Sequence, residues 1–350
     1  MKVAVITDTH FGVRNDSQIF IDHFVKFYDE VFFPHLEKEG LKTLIHAGDI
    51  FDRRKYINFN VLSQFRESFF DRLVDLGIEM HSVIGNHDTY YKNTNDLNSP
   101  DQLLNEYSNI KIYKDPTEIV LDGRKIALLP WVNAENAQAC SEFIESTDSE
   151  ILVGHLELDG FEAIRGIVHE GGIRPSDLQK FTKVLSGHFH CKQSKKNICY
   201  LGSPYQMVFS DAGEERGFWD LDTSDLSMNF HKNPDEMFYS LSYDDETKDY
   251  SGFVGKKHPM FKDKYVKLYV VNKSDSNMLD SVTKTIQDSG VYSLSVMEVP
   301  DDKYDDDMIE DMSRSTIDII MEEIDKDDSI ENKGVIKSLM KEFYMESLTS

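Results

Sequence analysis

The sequence predicts an α/β fold whose central strands are parallel and largely buried. Two observations carry that expectation. Apolar, β-branched runs alternate with segments of helical spacing near the start of the chain, the pattern of successive βα units. Each run ends in a polar stretch of Gly, Asn, Asp or His. In open α/β sheets such stretches gather at the carboxyl ends of strands and build a site there.

"KVAVITD" opens the chain as a buried strand. The segment near residues 19–38 follows, with Phe20, Phe24, Phe27, Tyr28 and Val31 at helical spacing. "LKTLIHAGD" is a second strand, residues near 59–76 a second helix, and "IEMHSVIGNHD" a third strand ending in a polar turn. This βαβαβ order makes neighbouring strands parallel. After Asn109 come "IKIY", "TEIVLDG" and "RKIALLPW", with Asp122-Gly123 as a hairpin turn. A helix near residues 135–145, the strands "EILVGHLEL" and "FTKVLSGHFH", and the segment "NICYLGSPYQM" complete a first domain over residues 1–210. Residues 211–300 are short and turn-separated, with clear strands in "DKYVKLYVVN" and "YSLSVMEV", and read as a smaller α+β domain. Residues 301–350 begin with the acidic linker "DDKYDDD" and continue as a helical tail. Its apolar stripe is Ile336, Leu339, Met340, Phe343 and Tyr344, at i, i+3, i+4, i+7 and i+8.

Composition narrows the classes. With 40% hydrophobic residues, the 350-residue chain can bury a large core. No apolar run approaches the roughly 18–20 residues of a membrane span, and the first residues lack a basic segment followed by a long apolar one. A soluble, cytoplasmic protein is expected. The three cysteines, Cys140, Cys191 and Cys199, form no CxxC, which fits a reducing compartment. Cys191 directly follows His190, so in a strand its side chain points to the other face. The net charge of −25 argues against general nucleic-acid binding. The charge is uneven: residues 301–350 hold sixteen Asp/Glu against six Lys/Arg.

The chemistry lies in the turns. "ITDTHFG" supplies Asp8 and His10, "HAGDIFDRR" Asp49 and Asp52, "IGNHDTY" Asn86 and His87, "LVGHLEL" His155, and "SGHFH" His188 and His190. Each piece has an ordinary reading: a turn, a helix entry, a hydrogen-bonded core histidine. All five in order, each after an apolar strand, fit a metal centre. Two divalent cations about 3.5–4 Å apart can hold the attacking and leaving oxygens of a displacement at phosphorus. A carboxylate must bridge them, and Asp49 is the natural candidate. A His/Asp/Asn set without Cys suits Mn²⁺, with Mg²⁺ or Fe²⁺ as alternatives, better than structural Zn²⁺. His87 sits in a tight turn beside Asn86. It is expected to donate a proton to the leaving oxygen rather than ligate.

D-x-H…G-D-x-x-D…G-N-H-D…G-H…G-H-x-H resembles the signature of calcineurin-like metallophosphoesterases. More narrowly it is similar to SbcD-type nucleases of double-strand-break repair, in the small form used as a recombination endonuclease subunit by tailed phages. The signature covers residues 1 to about 205. The resemblance implies a sandwich of two central β-sheets flanked by helices, with a DNA-recognition cap and a helical tail. It implies one ion on Asp8, His10, Asp49 and His190, and the other on Asp49, Asn86, His155 and His188. His87 would be the proton donor and Asp52 would hold its tautomer. The implied partners are double-stranded DNA ends and a coiled-coil ATPase of SbcC type, with a homodimer inside a heterotetramer and the apolar stripe docked on the coiled coil. Arg14 and Arg53 are the first candidates for phosphate contacts, with Arg54, Lys55 and Lys92 near the same loops. The runner-up is a phosphatase or cyclic phosphodiesterase of the same superfamily. "GDIFDRR" begins like the protein phosphatase G-D-x-x-D-R-G, but Arg54 replaces the Gly, and "GNHD" replaces G-N-H-E. A non-catalytic scaffold for the ATPase ranks last, because every ligand position is filled.

Overall fold

The computed structural model describes residues 1–298 together with Met321, Ile324, residues 332–334, Ile336, Lys337, Leu339 and Met340. Two compact units emerge. The first comprises Met1–Met207 and Glu214–Asp235; the second comprises Val208–Gly213 and the described residues from Glu236 onward.

The expected strands form. β1 (Lys2–Ile6), β2 (Thr43–His46), β3 (Glu79–Val83) and β4 (Ile110–Tyr113) pair in parallel in that order. β5 (Thr117–Leu121) and β6 (Arg124–Leu129) form the hairpin, turning at Asp122 and Gly123 with φ of 52° and 76°. Positive φ at both positions is what the tight two-residue turn demands. β7 (Ile151–His155) follows, then the small pair β8 (Glu162–Ile164) and β9 (Ile167–Val168), and then β10 (Lys183–Gly187), β11 (Gln193–Lys195) and β12 (Ile198–Tyr200). The second sheet runs β11-β12-β10-β7-β6-β5, and its centre is parallel.

Alternation decides the layers. Val3, Val5, Ile45 and Val83 of the first sheet pack against Ile126, Leu128, Val153 and Leu185 of the second, all buried. Full burial of such side chains contributes about 1.5–3 kcal/mol each. The helix Ala137–Ser146 brings Cys140 and Ile144 to the opposite face of the second sheet.

Two expected helices are interrupted. Residues 19–38 divide into Gln18–Phe27, a π-helical turn Tyr28–Phe32, and Phe33–Glu39. Residues 59–76 divide the same way around Arg66–Phe70. A π turn adds a residue and rotates the buried stripe. That rotation buries Tyr28, Phe32 and Phe33, and likewise Phe65, Phe69 and Phe70.

The first unit extends past the expected boundary at residue 210. β13 (Gly217–Asp222) pairs antiparallel with β1, and β14 (Met228–Lys232) pairs with β13. Their hydrogen bonds and the burial of Leu221 bind them to the first sheet, whose order is β14-β13-β1-β2-β3-β4. In the second unit β15 (Phe238–Asp244), β16 (Tyr265–Asn272) and β17 (Ser293–Glu298) are parallel. The helix Ser276–Asp288 buries Val282 and Ile286 in that unit's core. Of the tail stripe, Ile336 and Leu339 are exposed and Met340 is half-buried; Phe343 and Tyr344 lie outside the described residues.

Candidate metal centre

Parallel strands deliver their C-terminal loops to one sheet edge, and glycines let those loops close on one another. A Cβ on Gly85 would lie 2.2 Å from Asp49 Oδ1, and one on Gly187 would lie 2.0 Å from Thr7 Oγ1 and 2.7 Å from the Ala47 carbonyl. At Gly48, with φ of 96°, it would lie 2.5 Å from His155 Nδ1. The G of each G-D, G-N and G-H motif is therefore a packing requirement. Asp8, His10, Asp49 and His188 themselves have positive φ, of 52°, 41°, 57° and 91°. Such conformations cost on the order of 1–3 kcal/mol each and concentrate at functional sites.

The seven expected ligand side chains converge. His10 Nε2 lies 3.1 Å from His190 Nε2, and Asp8 Oδ1 lies 3.8 Å from His190 Nε2. Asp49 Oδ2 is 3.2 Å from His155 Nε2 and 3.6 Å from His10 Nε2. Asn86 Oδ1 is 2.9 Å from His155 Nε2 and 2.8 Å from His188 Nδ1. Donor atoms gather in Asp8/His10/His190 and in Asp49/His155/His188, and a third group, His10/Asp49/His87, overlaps both. The set fits a cation pair. Imidazole nitrogens facing one another across 3.1 Å need a positive charge or a shared proton between them. His87 is closer than expected: its ring centroid lies 4.7 Å from that of His10.

Electrostatics follow from that crowding. Burial disfavours charge on His10, but Asp52 and Asp49 outweigh it and hold its pKa at about 9. His155 reaches about 9 likewise, with burial opposed chiefly by Asp49. Asp49 is also buried, yet His155 and His87 hold its carboxyl well below the ordinary value. Burial lowers His87 to about 4, so its imidazole is neutral in the free protein.

Supporting residues complete the centre. His155 Nδ1–H donates to the Ala47 carbonyl across 2.9 Å, which leaves Nε2 for the site. Asp88, the last residue of G-N-H-D, is fully buried and accepts four main-chain N–H bonds, from Asp49, Gly85, Ile50 and Phe51 at 2.9–3.2 Å. It fastens the second motif loop to the third. Glu157 Oε1 lies 3.3 Å from His188 Nε2; His188 pulls that carboxyl down to about 2. Neither carboxylate had been assigned a role from the sequence, though both stand inside quoted motifs. Asp52 meets His87 through its main chain rather than its side chain. Its main-chain carbonyl, 2.6 Å from His87 Nδ1, sets the His87 tautomer. Its carboxylate lies 3.4 Å from His10 Nδ1.

The basic candidates form an exposed to half-buried rim. Arg53 pairs with Asp16 at 2.8 Å and stands over the Tyr56 ring. Arg54 donates to Thr89 Oγ1 and stands over Trp131. Lys55 lies over Tyr90, and Arg14 donates to the Met207 carbonyl across 2.9 Å. Tyr56, Phe59, Tyr90 and Tyr91 are exposed beside these cations. Lys92 is exposed on the same loop as Tyr91. Cys191 Sγ lies 3.7 Å from Glu214 Oε1, and none of the three cysteines forms a disulfide.

A family model described as calcineurin-like phosphoesterase matches residues 1–192. The chain belongs to this family. Exonuclease subunit 1 of Enterobacteria phage T4 is 31% identical to this phosphoesterase over 328 residues, 92% of this chain and 91% of that protein. The DNA double-strand break repair protein Mre11 of Sulfurisphaera tokodaii is 29% identical over 202 residues, 55% of this chain and 49% of that protein. A solved archaeal phosphodiesterase matches 67% of this chain over all of its own, with 13% identity and a TM-score of 0.34. Family membership gives the enzyme class, metal-dependent phosphoester hydrolysis, and the calcineurin-like fold of two sheets flanked by helices. No helix among the described residues is long and apolar enough to cross a membrane.

Proposed function

We propose that this phosphoesterase is a metal-dependent DNA nuclease, cleaving phosphodiester bonds in double-strand-break repair or recombination in the cytoplasm. The observation that carries the reading is the shared Asp49: its carboxylate belongs to donor groups on both sides, with His87 alongside. The names of the two relatives, an exonuclease subunit and a DNA double-strand break repair protein, extend phosphoester chemistry to nucleic acid. Exposed aromatics interleaved with Arg53, Arg54 and Lys55 support it, because bases stack on aromatic rings while cations take the backbone.

In this reading Asp8, His10, Asp49 and His190 hold one ion, and Asp49, Asn86, His155 and His188 hold the other. The oxygen and nitrogen donors suit Mn²⁺ first, with Mg²⁺ or Fe²⁺ as alternatives. Such a pair, when bound, supplies Lewis-acid activation of water and of the phosphate. The protein's part is positional and protonic. His87 donates Nδ1–H to the Asp52 carbonyl and keeps Nε2 for the substrate. Burial keeps His87 neutral in the free protein, so acting as the acid requires that it take up a proton when the substrate phosphate enters. Asp52 steadies His10 through its carboxylate. Arg53 and Arg14 take backbone phosphates of a DNA end.

The partner is a coiled-coil ATPase of SbcC type, in a heterotetramer containing two copies of this chain. Ile336 is 37% exposed and Leu339 48%, as a docking stripe requires. That partner also brings the DNA affinity that a chain of charge −25 lacks.

The test compares substrates. With Mn²⁺ and its ATPase partner, the full chain should cut linear double-stranded DNA and leave an aryl phosphomonoester largely intact. Rapid phosphomonoester hydrolysis without DNA cleavage would move the protein to the phosphatase branch.

A further inference from the structure

A second cluster of ligating side chains lies away from the catalytic edge. Asp220 is on β13, His231 on β14, and His35 on the helix Phe33–Glu39. Strand pairing sets two of them on one face: Phe218 opposes His231 and Asp220 opposes Asn229, so Asp220 and His231 are diagonal neighbours. Trp219 and Leu221 alternate to the other face, against the inter-sheet core. Asp220 also pairs with Ala4 of β1, roughly 13 Å of extended chain before Asp8.

The geometry is convergent. His35 Nε2 lies 2.8 Å from Asp220 Oδ2, and His231 Nε2 lies 2.9 Å from the same oxygen. The two ring centroids are 3.9 Å apart with planes tilted by 41°. One ligand atom from each residue lies within 4.8 Å of the others. Asp220 is 3% exposed, and its Oδ1 is buried with no hydrogen-bond partner. Among the described residues its ion-pair partners are these two histidines alone. A buried carboxylate with one oxygen lacking any donor leaves half its acceptor capacity idle, which is costly.

We propose that His35, Asp220 and His231 form a third divalent-metal site, for a Zn²⁺-class ion, that clasps the helix Phe33–Glu39 to the β13–β14 edge of the sheet. Metal–ligand bonds of about 2.0–2.1 Å put tetrahedral ligand atoms about 3.3 Å apart. The two nitrogen–oxygen separations need to widen only by a few tenths of an ångström. Two imidazoles and a carboxylate are the donors that borderline late first-row ions prefer. His231 is 27% exposed in its side chain and His35 16%, so an ion can enter and keep water as a fourth ligand. Three protein ligands with an open position make the ion exchangeable.

The test uses the full chain and Zn²⁺. Crystals soaked in Zn²⁺ should show anomalous density within bonding distance of both Nε2 atoms and of Asp220. The absence of that peak, with Zn²⁺ present at the catalytic edge, overturns the proposal. In solution His231→Gln and His35→Gln should each retain one equivalent of Zn²⁺ fewer than the wild type, and should lose the Zn²⁺-induced rise in melting temperature assigned to this clasp. Unchanged stoichiometry in both variants also overturns it. Mn²⁺-dependent turnover should persist in both, because neither residue is part of the catalytic edge.

Discussion

The metal floor and the basic rim sit on the same loops and are built on opposite rules. The floor is buried, fitted by glycines that tolerate no Cβ, and steadied by carboxylates such as Asp88. The rim is more accessible, and its arginine Arg53 already rests on Asp16 and Asn15. Chemistry at phosphorus needs donor atoms fixed to fractions of an ångström. Holding a DNA backbone needs only positive charge that can exchange one partner for another. Substitutions in the floor should therefore remove activity outright, while those in the rim should shade it.

Asp49→Ala should have the largest effect. Losing the carboxylate that lies between His10 and His155 should remove bound Mn²⁺ and turnover together, as metal analysis and a cleavage assay would show. An Asp49→Ala protein that holds two ions at full occupancy would refute the bridging role. His87→Ala comes next: both ions stay, and DNA cleavage falls by about 10²–10⁴-fold, the usual contribution of general acid catalysis. A nitrophenyl phosphodiester should recover part of the loss, since its leaving group needs little protonation. Normal turnover on DNA would remove His87 from the mechanism.

The pH dependence is subtler. His10 and His155, held at about 9, are protonated at neutral pH in the ion-free protein. Ligands bind metal deprotonated, so Mn²⁺ affinity should rise with pH until about 9, with proton release on binding. Titration calorimetry in two buffers of different ionisation enthalpy measures that release; none at pH 7 would contradict the assignment. In the ion-free protein these raised pKa values add stability that is full below the ordinary value of 6.5 and is lost as pH rises through about 9. The smallest effect belongs to the rim. Arg53→Ala should raise KM for DNA a few-fold at low salt and leave kcat alone, consistent with about 0–1 kcal/mol for a single ion-pair contact at the protein surface. A fall in kcat instead would place Arg53 in the floor.

The same contrast explains what the sequence made legible. β-Branched runs with polar ends give β1, β2, β3, β7 and β10, and the motifs at their ends supply the convergent side chains. Glycine at fixed offsets from Asp49, Asn86, His155 and His188 is visible because packing there admits nothing else. Legibility ends where a contact uses the main chain: Asp52 reaches His87 through its carbonyl, and no residue type announces that. Asp88 stands in the motif, but its four amide partners come from two separate loops. The π turns at Tyr28 and Arg66 depend on which aromatics the sheet accepts. β13 and β14 carry no motif, and only pairing with β1 assigns them to the first unit. His35 and Asp220 are 185 residues apart, too far for any local pattern.

Anomalous diffraction from crystals grown with Mn²⁺ tests the two-ion floor most directly. Two peaks should appear about 3.5–4 Å apart, with Asp49 contacting both, Asp8, His10 and His190 on one, and Asn86, His155 and His188 on the other. A single peak, or a pair that Asp49 does not bridge, would contradict it.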